Sequence, residues 1–401
     1  MAAEPLDIVC LADMPWDYPL WTNRQHVMSR VPTRDPNARV LYVSPPRFVV
    51  SALRSRRRPV RAEAGSPLWT ERKGERLWVV QPLLPLPNRL LQRHVPALYD
   101  RWTAAAVRHA SRRLGFERVV LWSYTPFAEG IVGRLGEEIV VYDVVDDYPA
   151  LPHYQQLRPG VVAADTEMTR RADLVFHTSE TVFAARAPLN PASHLVGNAA
   201  DVDLFATAQS GRHEVPAELA EIARPRLLFH GAVTGYKLDL ELIGRLADAH
   251  PEWSLVFVGP VLDDEAGAAL SGRTNVHLLG ARRQDELPAL LAGADVCIIP
   301  YRRTAYTEGI NALKLYECLA AGKRIVATDL PCFAPFRDLV SLATDADGFG
   351  RSVGEQLAAS GVDDRAERLR RVRPFSWDGK VDAMLGLLRS RLPPAASRTG
   401  R

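Results

Sequence analysis

The sequence is poor in the features that mark membrane, redox and metal-binding proteins. Its 401 residues include only four cysteines, and no two of them form a Cys-x-x-Cys pair, which argues against a zinc ribbon or a dithiol redox motif. No apolar run reaches the roughly 18 residues of a membrane span. The first residues lack the basic stretch of a signal peptide. Together these absences predict a cytoplasmic protein with reduced thiols.

Two familiar nucleotide-binding fingerprints are missing as well. The first apolar run, Ile8 to Leu11, is not followed by a Gly-x-Gly-x-x-Gly turn, which disfavours a nicotinamide enzyme. A Walker A sequence is also missing, so the chain has no signature of a P-loop nucleotidase. Any nucleotide site in this protein is therefore expected to be of another kind.

What the sequence does have is the pattern of an α/β protein with two domains. Hydrophobic residues make up 47% of the chain and charged residues 24%, which is typical of a globular protein. Continuous apolar segments alternate with helical patterns in both halves, and this alternation predicts parallel sheets covered by helices on both faces. We predict two doubly wound, Rossmann-like domains, 1–197 and 198–375, which face a cleft. A C-terminal helix and tail, 376–401, can pack back on the first domain.

The individual elements follow from the same patterns. Predicted strands are Ile8–Leu11, Val40–Val43, Leu77–Val80, Val119–Trp122, Ile139–Tyr142, Leu174–His177, Arg226–His230, Leu255–Gly259, Val276–Gly280, Val296–Pro300 and Ile325–Ala327. Predicted helices are Arg24–Val31, Asp100–Leu114, Phe127–Leu135, Asp165–Ala172, Asp239–His250, Glu286–Ala292, Asn311–Ala321 and a last helix that Ser376 caps.

Charge is distributed unevenly along the chain. The overall net charge is +3, but residues 47–118 carry 16 basic and 5 acidic side chains, whereas residues 119–199 carry 5 basic and 10 acidic ones. The basic excess is densest from Arg54 to Arg61. Such a segment can contact an anionic membrane or an anionic acceptor, or it can be a solvated loop. Nucleic acid is disfavoured because no aromatic interleaving or recognised motif accompanies the arginines.

Residues 308–328 contain the most informative motif. A small, polar entry leads into a predicted helix that begins near Asn311 and ends at Gly322. A helix N-terminus attracts anions. Glu317, about one and a half turns into the helix, can accept hydrogen bonds from a sugar diol, and Lys314 near the same face can reach a phosphate. The segment therefore predicts a site for a nucleoside diphosphate.

A second constellation follows the predicted strand Ile139–Tyr142. Asp143, Asp146 and Asp147 lie at the carboxyl end of that strand, where neighbouring carboxylates can shift one another's pKa. One of them can act as a base toward an acceptor hydroxyl or can orient the acceptor, and Asp146 is the first choice. Alternatives are a turn-forming acid before Pro149 or a metal-binding Asp-x-Asp element.

These motifs resemble a known family. The run from Asn311 to Lys323 is similar to the donor-site helix of group 1 glycosyltransferases of family 4, which have the GT-B fold. The nearest branch is the bacterial cell-surface-polysaccharide branch of the teichuronic-acid type. Val196–Phe205, Leu279–Pro300 and Tyr142–Pro149 resemble further segments of that family. The resemblance covers nearly all of residues 5–392.

The resemblance implies a metal-independent transferase that moves a sugar from a UDP- or GDP-sugar to a hydroxyl acceptor and favours retention of configuration. It implies donor binding by the second domain and acceptor binding by the first, without a required cofactor. The implied donor-binding residues are Gly231, Lys237, Arg282, Asn311, Leu313, Lys314 and Glu317. On the acceptor side, Trp16 and Arg24 are candidates, although Trp16 can equally be a core residue.

The chain departs from the family pattern at two places. Gly309 stands where the family has an earlier acid, and Glu308 is one position out of register. Ala232 stands where an arginine is usual. Two alternatives therefore stay open: a nucleotide-sugar 2-epimerase of the same fold, and a catalytically silent partner subunit.

Overall fold

The first half of the chain forms an eight-stranded sheet. The computed structural model describes residues 5–48, 70–84, 95–359 and 364–393. The order of the strands is β10-β9-β8-β7-β1-β2-β5-β4, and all neighbours are parallel except β4 and β5. The strands of this half, including the short β3–β6 pair, are β1 Leu6–Leu11, β2 Ala38–Val43, β3 Arg47–Phe48, β4 Thr70–Gly74, β5 Leu77–Val80, β6 Leu83–Leu84, β7 Val119–Ser123, β8 Ile139–Val144, β9 Leu174–His177 and β10 Ser193–Leu195.

Helices cover both faces of this sheet. Every residue of β1, β7 and β8 is buried, which explains why these strands appear in the sequence as continuous apolar runs. Two hydrophobic clusters lie on the opposite faces. The main helices of the first half are α1 Asn23–Arg34, α2 Pro96–Arg113, α3 Arg158–Arg171 and α4 Glu180–Arg186.

The second half forms a separate six-stranded parallel sheet. Its order is β13-β12-β11-β14-β15-β16, in which the chain reverses direction across the sheet next to β11. The strands are β11 Arg226–His230, β12 Ser254–Val258, β13 Val276–Gly280, β14 Val296–Ile299, β15 Ile325–Thr328 and β16 Val340–Ala343. Ligands bind at such switch points in doubly wound sheets, beyond the carboxyl ends of the strands.

Helices surround the second sheet and return the chain to the first. The Asp239 side chain accepts a hydrogen bond from the Leu242 amide at 2.9 Å and so caps the helix that follows. The helices from the linker onward are α5 Val202–Ala206, α6 Ala217–Ala220, α7 Leu240–Ala249, α8 Asp264–Leu270, α9 Leu287–Gly293, α10 Ala305–Glu308, α11 Leu313–Ala320, α12 Ala346–Ala358, α13 Arg365–Val372 and α14 Trp377–Arg391.

The last helix, α14, packs on the first domain. Trp377, Val381 and Leu388 are buried in the same cluster as residues of β1 and α1. The Trp377 ring stacks on His26 with 4.5 Å between the ring centroids. Ser376 caps the helix, as predicted, by accepting from the Gly379 amide at 3.1 Å. The chain therefore crosses between the two sheets twice.

Two element predictions were wrong. Residues 127–135 do not form a helix, because only Pro126–Ala128 makes a 3-10 turn and Gly133 then adopts a positive φ of 82°. The donor-site helix begins at Leu313 rather than at Asn311. The basic residues Arg54 to Arg61 lie outside the described residues. Within the described ranges, no helix is both long and apolar enough to cross a membrane.

Candidate functional site

The carboxyl ends of the two sheets face each other across a cleft that is closed in this structure. The Tyr306 hydroxyl of the second half donates a hydrogen bond to Asp146 Oδ1 of the first half at 3.0 Å. Thr181 donates to the Glu308 carbonyl oxygen at 3.0 Å, and Asn311 Nδ2 donates to the Thr178 carbonyl oxygen at 2.8 Å. The loops that carry the predicted site residues are thus in direct contact.

Helix α11 places Lys314 and Glu317 on one face. Lys314 lies in the first turn, and Glu317 follows three residues later, so both side chains point in similar directions. No side chain caps this helix N-terminus. Lys314 Nζ donates a hydrogen bond to the Tyr301 hydroxyl at 2.6 Å and lies 4.9 Å from the centroid of the Phe229 ring. Burial lowers the pKa of Lys314, while the nearby Glu317 acts to raise it.

The Glu317 carboxylate lies in a mostly buried position. Burial raises its pKa to about 7, against the opposing influence of Lys314. Glu317 Oε2 is 3.6 Å from His230 Nδ1, and burial lowers the pKa of His230 to about 3, so this imidazole is neutral. A neutral histidine does not compensate the carboxylate charge. Glu317 is therefore ready to accept hydrogen bonds from a polar ligand.

Two glycines bring the backbone close to Lys314. Gly231 has a φ of +118°, and a Cβ atom there would be 3.2 Å from Lys314 Nζ. Gly259 has a φ of +155°, and its Cβ would fall 1.9 Å from the Gly231 carbonyl oxygen. Side chains at either position would collide with their neighbours or strain the backbone. The glycines thus allow the Lys314 side chain to lie close against the backbone.

Lys237 lies on the loop that follows β11, half-buried between two aromatic rings. Its Nζ is 5.7 Å from the ring centroids of both Tyr236 and Tyr306, a distance that allows a cation–π interaction. In the part of the chain that the structure describes, the ammonium group has neither a hydrogen bond nor an ion pair. It therefore adds uncompensated positive charge to the second-domain wall.

The opposite wall of the cleft is held together by ion pairs. Arg24 on α1 forms a two-pronged pair with Asp13, with distances of 2.6 Å and 2.8 Å. The same guanidinium group contacts the Tyr148 hydroxyl at 3.1 Å and Asp146 Oδ2 at 3.5 Å. Arg24 is 4% exposed. This arginine is thus a fixed partner of the carboxylates at the cleft.

The three aspartates after β8 occupy different surroundings. Asp146 lies at the cleft between Arg24 and Tyr306. Asp147 pairs with Arg186 at 2.8 Å, and this arginine also pairs with Asp165 at 2.6 Å.

Asp143 does not reach the cleft surface. It is fully buried within β8, burial raises its pKa, and its Oδ2 accepts a hydrogen bond from Trp122 at 3.3 Å. Asp143 stays in the core because it lies inside β8, which extends to Val144 and is buried throughout, whereas Asp146 follows the end of the strand and reaches the cleft.

A cavity of 460 Å³ opens at the mouth of the cleft, between the two halves. Tyr236 and Tyr306 line it, and these rings contact Lys237, while the Tyr306 hydroxyl donates to Asp146. Polar side chains from both halves line the rest: Gln155, Arg158, Glu265, Arg302 and Thr304. Its volume is within the range of small-molecule sites.

Four other predicted site residues have structural partners. Trp16 is 8% exposed, packs edge-to-face on Tyr42 at 5.0 Å and borders a cavity of 340 Å³ together with Trp21. Arg282 pairs with Glu218 at 2.6 Å. Asn311 does not cap α11 and instead bonds to the first domain. Leu313 packs against the first-domain cluster that contains Trp377.

The structure adds aromatic residues that sequence reasoning did not select. The Tyr301 hydroxyl accepts a hydrogen bond from Lys314, and the Tyr306 hydroxyl donates one to Asp146. The ring centroids of Tyr236 and Tyr306 are 5.8 Å apart. The only sequence signal for them is their position after β14 and β11. In the described ranges, no cluster of three or more His, Cys, Asp or Glu residues is placed to hold a metal ion.

The second half of the chain matches a known protein family. Residues 224–358 match the sequence model of the glycosyl transferases group 1 family. This match lies within the second domain and spans both sides of the α11 segment. TuaH of Bacillus subtilis, a protein named for glycosyl transfer in teichuronic acid biosynthesis, is 27% identical over 235 residues, which is 54% of this chain and 56% of TuaH. The match spans little more than half of either protein and supports the branch predicted from the motifs.

Solved structures show that the glycosyltransferase fold extends over the whole chain. HepE of Anabaena, solved with UDP and glucose, has a TM-score of 0.63 at 16% identity and covers 96% of this chain and 99% of its own. A trehalose-6-phosphate synthase of Burkholderia multivorans has a TM-score of 0.65 at 14% identity, with coverages of 97% and 98%. The predicted GT-B fold, with two doubly wound domains and a cleft, is confirmed.

Proposed function

We propose that the protein transfers a glycosyl group from a nucleoside diphosphate sugar to a hydroxyl group of an acceptor, with retention of anomeric configuration. The observation that carries this proposal is the arrangement around α11. Lys314, the uncapped helix N-terminus and the Gly231 backbone next to Lys314 are suited to bind a diphosphate, and Glu317 lies one turn further along. A uridine donor is the first candidate, because HepE was solved with UDP and an E. coli trehalose-6-phosphate synthase was solved with UDP-2-fluoro glucose.

The second domain binds the donor in this proposal. Lys314 and Lys237 neutralise the diphosphate, and the α11 N-terminus adds its partial positive charge. The Glu317 carboxylate accepts hydrogen bonds from the ribose hydroxyl groups. Stabilisation of the leaving diphosphate is the main contribution to catalysis, because negative charge develops there as the bond to the sugar breaks.

The first domain binds the acceptor. We place the acceptor hydroxyl beside Asp146, which it reaches through the cavity lined by Arg158 and Arg302. The bond between the anomeric carbon and the diphosphate oxygen breaks, the acceptor oxygen bonds to the same face of the sugar, and the hydroxyl proton passes to the leaving diphosphate. Asp146 then orients the acceptor. In an inverting reaction Asp146 would instead take the proton.

The reaction is assigned to the cytoplasm, and the acceptor is a glycan, a lipid-linked saccharide or a small molecule. Cys10, Cys297 and Cys318 are buried and free, which is compatible with a reducing compartment. The proposed reaction uses neither a metal ion nor a cofactor.

Isothermal titration with UDP tests the donor site. We expect the wild-type protein to bind UDP, and we expect Glu317→Ala to weaken binding by about tenfold or more, because a charge-assisted hydrogen bond is lost. A matched control is Glu241→Ala on the exposed side of α7. Unchanged UDP affinity in Glu317→Ala would refute the assignment of this carboxylate.

Product analysis separates the proposed reaction from its alternatives. Incubation of the purified protein with UDP-sugars should release UDP, faster with acceptor than without. Conversion of the donor sugar without acceptor would identify an epimerase. Binding of UDP without any turnover would identify a silent partner subunit.

A further inference from the structure

The outer face of helix α2 is distinguished by its charge and by its exposed apolar side chains. The helix has 18 residues, and its inner face packs Ala104, Val107 and Ala110 into the core of the first domain. The outer face carries exposed Leu98, Arg101, Trp102, Arg108 and Arg112. We refer to these five residues as the α2 outer face.

Three apolar side chains project near the start of this helix. Val95, Leu98 and Trp102 are 44%, 39% and 39% exposed, respectively. Leu98 and Trp102 are four residues apart, so they lie on the same side of the helix. Single exposed apolar residues are common, but a tryptophan and two aliphatic residues side by side form a patch that an apolar or interfacial partner can cover.

Three arginines extend this patch along the same side. Arg101, Arg108 and Arg112 are separated by seven and four residues, which places them in one stripe along the helix. Among the described residues, none of the three side chains has a hydrogen bond or ion pair. Two partly exposed arginines elsewhere are paired, Arg118 with Glu138 and Arg273 with Asp248. The α2 stripe thus keeps its full positive charge.

The one acidic residue of α2 turns away from this face. A Cβ atom added at Gly130 would lie 2.0 Å from Asp100 Oδ2, so the carboxylate points toward the loop after β7. The direction of the helix follows from the chain: α2 ends at Arg113, shortly before the amino end of β7 at Val119, so its start lies toward the carboxyl end of that strand. The apolar start of α2 therefore lies at the same edge of the sheet as the cleft.

We infer that the α2 outer face docks on the surface of an anionic lipid bilayer. Arginines attract anionic headgroups, while a tryptophan and aliphatic side chains enter the boundary between headgroups and acyl chains. Nucleic acid would use the arginines but leave Leu98 and Val95 unexplained. With the helix lying on the bilayer, the edge of the first domain that carries Asp146 is held next to the membrane. The inference does not depend on glycosyl transfer.

Vesicle co-sedimentation of the full chain tests this docking. We expect binding to vesicles of phosphatidylcholine mixed with phosphatidylglycerol, little binding to phosphatidylcholine alone, and weaker binding as salt is added. The double variant Arg108→Glu/Arg112→Glu should lower the partition coefficient by about tenfold or more, because attraction to the anionic surface becomes repulsion. The control Arg212→Glu/Arg351→Glu makes the same change in net charge on exposed residues of the linker and α12, and should bind like the wild type.

A second readout reports the apolar contact. Brominated lipids should quench part of the tryptophan fluorescence, and Trp102→Phe should remove that part while the melting temperature is unchanged. The inference is overturned if wild-type protein binds both kinds of vesicle equally, or if the Arg108→Glu/Arg112→Glu variant binds like the control. The latter result would assign docking to another segment, such as Arg54 to Arg61.

Discussion

The two walls of the cleft differ in how far their charged side chains are paired with opposite charges. On the first-domain wall, Arg24 pairs with Asp13 and Arg186 pairs with Asp147, so most of the charge is compensated within that wall. On the second-domain wall, Lys237 lies over two aromatic rings and has no ion pair among the described residues, and Lys314 donates to the Tyr301 hydroxyl. Both walls use side chains at the carboxyl ends of parallel strands.

This difference indicates what each wall can bind. Lys237 has no ion pair among the described residues, and the Lys314 charge is opposed by Glu317, whose pKa burial raises to about 7, so the second-domain wall is suited to an anion. The charges of the first-domain wall are already paired, so this wall offers oriented hydrogen-bonding groups and has no strong preference for a charged ligand. Such a wall is suited to the hydroxyl groups of a sugar. The closed cleft then brings an anionic donor against a neutral acceptor hydroxyl.

Removal of the Lys314 charge should have the largest effect. We expect Lys314→Met to lower kcat/KM by roughly 10²- to 10³-fold, because the developing charge on the leaving diphosphate loses its stabilising cation. Steady-state kinetics with saturating acceptor measures the effect. Lys73→Met, in the β4–β5 edge hairpin, serves as the control and should retain full activity. A variant that keeps wild-type activity would show that the second wall does not act through this charge.

Substitutions of Asp146 and Asp143 should separate an effect on catalysis from an effect on stability. Asp146→Asn should lower kcat about 10²-fold with little change in donor KM, because Asp146 lies at the acceptor side of the cleft. Asp143→Asn should alter the melting temperature rather than donor KM, because Asp143 is bonded to Trp122 in the core. Kinetics and thermal denaturation of both variants distinguish these roles. Equal losses of kcat at the two positions would contradict the difference in placement.

Tyr306→Phe tests the contact between the two walls. Loss of the hydroxyl removes the hydrogen bond to Asp146, and a hydrogen bond to a charged group is worth about 1.5–3 kcal/mol. We expect kcat/KM to fall by about tenfold, with a larger effect on the acceptor KM than on UDP affinity. Small-angle scattering of the free protein should show a more open average shape than the wild type. Weaker UDP binding with unchanged acceptor KM would place Tyr306 in the donor site instead.

The smallest predicted effect is the pH dependence that Glu317 gives to stability. Because burial raises the folded-state pKa of Glu317 to about 7, above its unfolded value near 4.3, the folded state binds the proton more tightly. Stability from this group is present below the unfolded pKa and is lost as pH rises through about 7.

Melting temperatures measured from pH 5 to pH 8 with and without Glu317→Gln check this linkage. The stability of the variant relative to wild type should rise with pH, and its melting temperature should depend less on pH in this window. The rise in the relative stability of the variant is reduced because the substitution also removes Glu317 as a partner for Lys314. Glu367→Gln, an exposed residue on α13, should leave the pH profile unchanged, and a matching profile for both variants would contradict the buried acid.

Much of the site was predictable because it depends on local patterns. The helix that carries Lys314 and Glu317 follows from its spacing of apolar residues, and its placement beside a sheet edge follows from the alternation of strands and helices. The start of the helix was misplaced by two residues, because Asn311 bonds to the carbonyl oxygen of Thr178, a partner 133 positions earlier in the chain. A polar side chain before a helix bonds either to the helix N-terminus or to a distant partner, and the sequence alone does not show which of the two forms.

The sequence by itself determined the two α/β halves, the absence of the common nucleotide fingerprints and the helix with its lysine and carboxylate, since periodicity and turn chemistry act over short distances. Only the tertiary structure decided which charges are compensated. Arg24, a candidate for acceptor binding, is paired with Asp13. Trp16, for which an acceptor platform and a core position were both open, is 8% exposed. Asp146 accepts a hydrogen bond from Tyr306 of the other domain. The physical reason is that charge compensation and burial depend on distances between residues far apart in the chain, and these distances exist only after the two sheets have closed on each other.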